Sequence, residues 1–68
     1  MILVNFRRYD GNEAITFVAS KIVAFTRNTL DPINKTSIFC LNAREDDSED
    51  EFVVATPYNV VKERLENL

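Results

Sequence analysis

The sequence predicts a mainly β fold (β+α), a five-stranded antiparallel meander, curled or small-barrel-like, with one C-terminal α-helix. Three observations favour this fold in a single domain over residues 1–68. Apolar runs of strand length recur at short intervals along the chain. The one glycine, Gly11, follows Asp10 in a dipeptide typical of hairpin turns. Helical spacing of apolar residues begins only after Pro57.

The first two strands are predicted to form a hairpin. Residues 2–9 alternate in character as a strand does, and residues 13–18 return as its partner. The Asp10-Gly11 dipeptide between them suits a type I′ turn, because that turn requires positive φ angles. Ala19-Ser20 is expected to end the second strand.

Three further strands are predicted for residues 21–27, 36–42 and 52–56. Residues 28–35 separate the first two of these and contain Asn, Asp and Pro, so they are predicted to be a loop. Residues 44–51 contain no apolar side chain and are expected to form a solvated loop.

The last segment is predicted to be a helix. Thr56 is a favoured N-cap residue, and Pro57 suits the first helical position because its missing N–H has no partner there. Four side chains share one face at helical spacing, which gives the helix one apolar stripe. The stripe comprises Tyr58, Val61, Leu65 and Leu68.

Several strands are apolar on both faces, whereas one short helix can cover only one face of a sheet. An exposed apolar face of this extent usually marks a binding surface. The sequence therefore predicts a homo-oligomer, with the alternative that the 28–35 loop folds over the face of a monomer. The candidate interface residues are Leu3, Val23, Phe25, Phe39, Leu41 and Val53.

Composition restricts the means of stabilising so short a chain. With one cysteine, Cys40, and no histidine, the chain has no internal disulfide and lacks the usual ligands of a structural zinc site. We expect no metal and no cofactor. Self-association remains as the third common reinforcement of a small domain.

The order of residues at the beginning of the chain argues against secretion. An apolar run precedes the first charges, the reverse of a secretory signal, and no run approaches the length of a membrane span. We expect no membrane contact. The predicted location is the cytoplasm, bacterial or that of the host if the chain is phage-encoded.

Charge is concentrated in one segment. Six of the eleven acids fall within seven positions, while the rest of the chain has eight cations and five acids. This acidic loop lacks the glycine and the spacing of a calcium-binding EF-hand loop, which argues against a calcium site. It is interpreted as a solvated hairpin tip or as part of a partner surface. Its acids are Glu45, Asp46, Asp47, Glu49, Asp50 and Glu51.

The residue inventory argues against an enzyme. No histidine can act as a general base, and the acids lie together in a hydrophilic segment. Cys40 stands between Phe39 and Leu41, where a cysteine packs as a small hydrophobe. The catalytic residues are therefore predicted to be none.

Four residues form a candidate site for a small anionic ligand: Arg7, Arg8, Tyr9 and Arg27. Arginine beside an aromatic ring can hold a phosphate and stack on a base. The alternative is that these cations only keep strand ends soluble. The scattered cations and the acidic segment argue against a nucleic-acid partner.

Five segments of the chain follow a recognisable order of apolar residues around one turn. They are Met1-Ile2 with Val4, Asp10-Gly11, Ile22 to Phe25, Ile38 to Leu41, and Phe52-Val53-Val54 with Tyr58, Val60 and Val61. This order resembles the small FlbD-like family, which includes SwrD-like swarming-motility proteins. The 28–35 and 43–51 loops of this chain are longer than those of the family pattern. The resemblance implies a flagellar setting, and small bacteriophage accessory proteins are similar in size and character.

Two functions remain in competition. The first is a non-enzymatic interaction or regulatory module that self-associates and binds a protein partner. The second is an oligomeric protein that binds a nucleotide or another small anion and sequesters a signalling molecule.

Overall fold

The computed structural model of the protein describes residues 1–10, 12–41 and 49–68, which form five strands and one α-helix. The mainly β fold with a C-terminal helix is confirmed, and strand bounds fall within one to three residues of those predicted. The elements are β1 Leu3–Arg7, β2 Ala14–Val18, β3 Ile22–Arg27, β4 Thr36–Leu41, β5 Glu49–Val54 and α1 Tyr58–Glu66, with a 3₁₀ turn at Ala19–Lys21.

The strands lie in two antiparallel sheets, β1-β2 and β3-β4-β5. The 3₁₀ turn separates β2 from β3, and no pairing joins these two strands among the described residues. The sheets meet where Arg8 bridges Val54, and where the Ala55 N–H donates to the Arg7 carbonyl oxygen over 2.9 Å. The single meander and the small barrel are therefore not confirmed.

The β1-β2 hairpin is confirmed by an antiparallel register that runs from Leu3 opposite Val18 to Arg7 opposite Ala14. Gly11 itself lies outside the described residues. Beside it, the Asn12 N–H donates to Asp10 Oδ1 over 3.0 Å, a local bond that favours a turn.

The hydrophobic core lies between the two sheets. Phe17 of β2 joins them, because its ring meets Phe6 edge-on at 6.0 Å and Phe52 edge-on at 5.7 Å between centroids. Val61 of α1 is fully buried against the same cluster, so the helix completes the core. The buried apolar side chains are Val4, Phe6, Phe17, Ile38, Cys40, Val54 and Val61.

The helix begins one residue later than predicted, and Thr56 does not cap it. Pro57 occupies the N-cap position with an extended ψ of 148°, and its carbonyl oxygen accepts from the Val60 and Val61 N–H groups. Thr56 is instead buried, where its carbonyl oxygen accepts from Thr36 Oγ1 over 2.7 Å. No helix of the described residues is long and apolar enough to cross a membrane.

The predicted acidic loop is wrong in its second half. Glu49, Asp50 and Glu51 belong to β5, where they pair with Leu41, Cys40 and Phe39 of β4. An available partner strand outweighs the low β propensity of these acids, since strand preference depends strongly on context. The other three acids, Glu45, Asp46 and Asp47, lie outside the described residues.

Candidate binding surface

The loop of residues 28–35 is organised around the side chain of Asn28. Asn28 Oδ1 accepts hydrogen bonds from the Leu30 and Asp31 N–H groups, each over 3.0 Å. Its Nδ2 donates to Ser37 Oγ over 3.2 Å, and its backbone N–H donates to the Lys35 carbonyl oxygen over 3.1 Å. Since Asn28 is buried, these bonds fix the base of the loop to the sheet.

Asp31 fixes the second half of the loop. Its carbonyl oxygen accepts from the Lys35 N–H over 3.0 Å, and its Oδ1 accepts from the Asn34 N–H over 3.3 Å. Pro32 between them has a restricted φ angle. The loop is therefore a structured turn whose conformation is set by its own polar groups.

This structured loop presents two large aliphatic side chains to solvent. Leu30 is 94% exposed and Ile33 is 79% exposed. Neither side chain is buried against the sheet, so they give no support to the alternative in which the 28–35 loop covers the apolar face of a monomer. Sequence reasoning missed both residues because the segment was interpreted only as a turn. The available signal was two large apolar residues among turn formers.

Four of the six predicted interface residues lie on the β3-β4-β5 sheet outside the core cluster, three of them on its outer face and Val23 at the register shift in β3. Val23 and Leu41 are exposed, while Phe39 and Val53 are half-buried. The face also carries acids, because Glu51 pairs with Phe39 and Glu49 pairs with Leu41. The outer apolar surface is therefore bordered by carboxylates, a feature that the sequence reading assigned to a separate loop.

The other two predicted interface residues lie elsewhere. Leu3 is exposed on β1, in the other sheet. The prediction of Phe25 as an interface residue is corrected, because Phe25 packs against the core. Its ring centroid lies 5.5 Å from that of Tyr58. A register shift between Ile22 and Ala24 changes the alternation of β3, and a bulge of this kind cannot be read from the strand's composition.

The four residues predicted to bind an anion do not converge on one cavity. Arg8 Nη1 lies 3.8 Å from Glu13 Oε2. Tyr9 follows Arg8 in the chain, and Lys35 Nζ lies 5.8 Å from the centroid of the Tyr9 ring. The Arg27 guanidinium stacks over Tyr58 at 4.4 Å, in a cavity formed with the 28–35 loop and the start of α1.

Arg7 lines a different cavity, of about 400 Å³, together with Arg64 of α1. Arg64 was not singled out from the sequence. Its Nη1 donates to the Asn5 carbonyl oxygen over 3.1 Å, and its guanidinium lies 5.3 Å from the Phe6 ring centroid. These contacts attach the helix to β1, so Arg64 has a structural role that charge alone did not reveal.

Two adjoining cavities form a groove between the 28–35 loop, the end of β1 and β5. One has a volume of about 350 Å³ and the other of about 210 Å³, and both are lined by Tyr9 and Val53. We refer to the two together as the Tyr9 groove. Its remaining lining residues are Asn28, Leu30, Asp31 and Lys35 in the first cavity, and Arg8, Ile15, Glu51 and Phe52 in the second.

Cys40 is buried in the core, as expected from its sequence neighbours. Burial raises the pKa of its thiol, and the negative charge of Asp50, its partner on β5, raises that pKa further. Within the described ranges, no three side chains of the His, Cys, Asp and Glu types are grouped so that they could hold a metal ion.

No protein-family model, curated protein or solved structure matches the chain. The resemblance to the FlbD-like family and the similarity to small phage proteins therefore stay predictions from the sequence. The function has to be argued from the geometry of the described residues.

Proposed function

We propose that this chain is a small non-enzymatic interaction module that self-associates and binds a protein partner. The observation that carries the proposal is the exposure of Leu30 and Ile33, 94% and 79%, on a loop that Asn28 fixes to the sheet. Regulatory action through such binding is part of the same proposal.

The energetic argument rests on apolar area and on the fixed loop. Burying a Leu or Ile side chain that is exposed in the free protein is worth about 1.5–3 kcal/mol. A disordered loop would offset much of that gain by the entropy lost on ordering. Here the hydrogen bonds of Asn28 and Asp31 have already ordered the loop, so more of the gain remains for binding.

The outer face of β3-β4-β5 supports self-association. Val23 and Leu41 are exposed on this sheet, and Glu49 and Glu51 provide the polar border that interfaces commonly have. The Arg8–Val54 bridge between the sheets supports a partly open barrel, with this face on its outside. A cytoplasmic location belongs to the proposal as well, and the free, buried thiol of Cys40 is compatible with it.

The anion-binding alternative is favoured by one observation. Arg7 and Arg64 line the same cavity of about 400 Å³. Arginine pairs hold phosphate and carboxylate groups well. A thermal-shift series with nucleotides tests it: stabilisation of wild-type protein that Arg64→Gln abolishes would support it, and no shift at millimolar nucleotide would contradict it.

Sedimentation velocity over a concentration series tests self-association. Wild-type protein is expected to shift from monomer to oligomer as concentration rises, and Leu30→Ser/Ile33→Ser is expected to stay monomeric. Ile2→Ser/Val60→Ser is the matched control, because both residues are exposed and lie outside the loop. Equal thermal stability of the three proteins establishes that folding is unchanged. A wild-type monomer at every concentration would contradict this part of the proposal.

Partner binding is tested by affinity capture followed by reconstitution. A protein captured by wild-type bait is purified and titrated calorimetrically against the three proteins. The loop variant is expected to bind at least about tenfold more weakly, corresponding to about 1.4 kcal/mol. Equal affinity for the loop variant and wild type would contradict the assignment of the loop as the docking surface.

A further inference from the structure

Leu30 stands beside an open cavity on the same surface of the protein. Its side chain is 94% exposed and forms one wall of the larger cavity of the Tyr9 groove. The exposed Tyr9 and the half-buried Val53 are the other apolar residues that line this cavity. The Leu30 backbone is held, because its N–H donates to Asn28 Oδ1 over 3.0 Å. A projecting apolar side chain and an apolar recess therefore lie side by side on one patch.

The recess takes a side chain rather than a strand. The antiparallel bridge between Arg8 and Val54 sets Tyr9 opposite Val53, so β1 covers the backbone edge of β5 at this point. The cavity above them has a volume of about 350 Å³, which is large enough for an aliphatic side chain of a docked protein.

The charges around the recess are balanced in sign. Asp31 and Lys35 both line it and are both half-buried, and within the described ranges neither forms an ion pair. A partner of one sign would meet one attractive and one repulsive group. A surface with the same two groups, turned about a two-fold axis, meets both with opposite charges. The charge pattern thus favours a second copy of this chain as the occupant.

From this arrangement we infer that the patch formed by Leu30 and its recess pairs with the same patch of a second copy about a two-fold axis. Leu30 of each copy fills the recess of the other and packs between the partner's Leu30 and the partner's Tyr9. Lys35 of each copy then lies beside the partner's Asp31. The inference deepens the proposed self-association and rests on it, since it names the contact and its symmetry.

This symmetry predicts a closed dimer. Because the projection and the recess belong to one patch, each copy uses both in a single contact and leaves no patch free for a third copy. One loop and one groove form a contact at the small end of protein interfaces, so the dimer is expected to be weak. Concentration series therefore have to reach millimolar protein.

Ile33 has no part in this contact. It lines a different cavity, together with Arg27 and Tyr58. The two exposed apolar residues of the loop thus have separate roles, with Leu30 in self-association and Ile33 free for a protein partner.

Sedimentation equilibrium of single variants tests which residues form the contact. Leu30→Ser is expected to raise the dimer dissociation constant at least about a hundredfold, because each dimer loses two buried Leu side chains. Ile33→Ser is expected to stay within about threefold of wild type, since its exposed side chain lies outside the contact. Equal weakening by the two variants would overturn the inference.

The role of the Tyr9 ring is tested in the same way. Tyr9→Ser is expected to weaken the dimer at least about tenfold, whereas Tyr9→Phe keeps the ring and is expected to dimerise as wild type does. Equal thermal stability of these variants and wild type establishes that folding is unchanged. A dimer of Tyr9→Ser as strong as that of wild type would overturn the inference.

Two charge variants test the pairing of Lys35 with the partner's Asp31. Lys35→Glu sets two acids opposite each other in both halves of the dimer and is expected to weaken it about threefold to thirtyfold. Lys21→Glu changes the net charge equally at an exposed position outside the patch and is expected to leave the dimer unchanged. Equal behaviour of the two variants would overturn this arrangement of the copies.

The closing test is an isotope-filtered NOE spectrum of a mixture of ¹³C-labelled and unlabelled wild-type protein. The inference predicts a cross-peak between the Leu30 methyl groups of one copy and the Tyr9 ring of the other. Its absence in a sample that sediments as a dimer would overturn the inference and leave the proposed self-association standing. Open-ended oligomers would likewise overturn only the two-fold contact, and a monomer at millimolar concentration would overturn both.

Discussion

Asn28 Nδ2 donates a hydrogen bond to Ser37 Oγ over 3.2 Å, and both residues are buried at the point where the 28–35 loop meets β4. This bond joins the loop to the central strand of the larger sheet. The same Asn28 side chain accepts from Leu30 and Asp31. One amide group thus couples the position of the exposed Leu30 to the fold.

Replacement of Asn28 by Ala is expected to lower the free energy of unfolding by about 1–3 kcal/mol, because Ser37 Oγ and two loop N–H groups lose their partner. Urea titration measures the change. Thr29→Ala, at an exposed neighbour, is the control and is expected to remain within about 0.5 kcal/mol of wild type. Equal stability of the two variants would show that Asn28 does not hold the loop.

Replacement of Thr36 by Val is expected to cost about 1–3 kcal/mol, although the two side chains have nearly the same shape. Thr36 Oγ1 donates to the Thr56 carbonyl oxygen over 2.7 Å at a buried position, and the substitution leaves that oxygen without this donor. Thr26→Val on β3 is the exposed control. A loss no greater than that of the control, by calorimetric unfolding, would contradict a structural role for this bond.

Replacement of Ile38 by Ala is expected to cost about 2–5 kcal/mol, because Ile38 is fully buried at the centre of the core and leaves a cavity. Leu3→Ala removes a side chain of similar size that is exposed, and is expected to change stability by less than about 0.5 kcal/mol. Comparable losses in both variants, measured by urea unfolding, would mean that the core is elsewhere.

The raised pKa of Cys40 predicts a specific loss of stability at alkaline pH. Below its ordinary pKa of 9.0, the thiol is protonated in both the folded and the unfolded state, so its contribution to the free energy of unfolding is fully present there. As pH rises further, the unfolded state loses its proton first, and stability falls until the folded pKa is passed. Burial is the larger cause of the shift and the charge of Asp50 the smaller.

Urea unfolding of wild type and Cys40→Ala between neutral and alkaline pH measures this contribution. The wild type is expected to lose more stability with rising pH than the variant, and Asp50→Asn is expected to reduce that loss slightly. Parallel pH profiles for wild type and Cys40→Ala would contradict the raised pKa.

Most of the fold could be predicted from local patterns. Asp10-Gly11 located the first hairpin, and Pro57 located the beginning of the helix to within one residue. The partition into two sheets could not be predicted, because it depends on the 3₁₀ turn at Ala19–Lys21 and on the bridge between Arg8 and Val54. Both result from how distant parts of the chain pack together.

The candidate site was predicted less completely. The exposure of Leu41 followed from strand alternation, whereas the positions of Val23 and Phe25 did not, because a register shift between Ile22 and Ala24 interrupts the alternation of β3 and Phe25 packs against the core. Leu30 and Ile33 were missed because turn composition predicts a loop without predicting which side chains it exposes. The loop conformation that exposes them is held by the hydrogen bonds of Asn28 and Asp31.

The most direct test of the central claim, that the 28–35 loop is an interaction surface, is a dilution series of ¹⁵N-labelled protein followed by amide chemical shifts. The account predicts concentration-dependent shifts that are largest at Leu30, Asp31 and Ile33 and that disappear in Leu30→Ser/Ile33→Ser. Concentration-dependent shifts confined to other surfaces would contradict the claim. The claim would also be contradicted if the loop signals stayed unchanged both at every protein concentration and on addition of an identified partner.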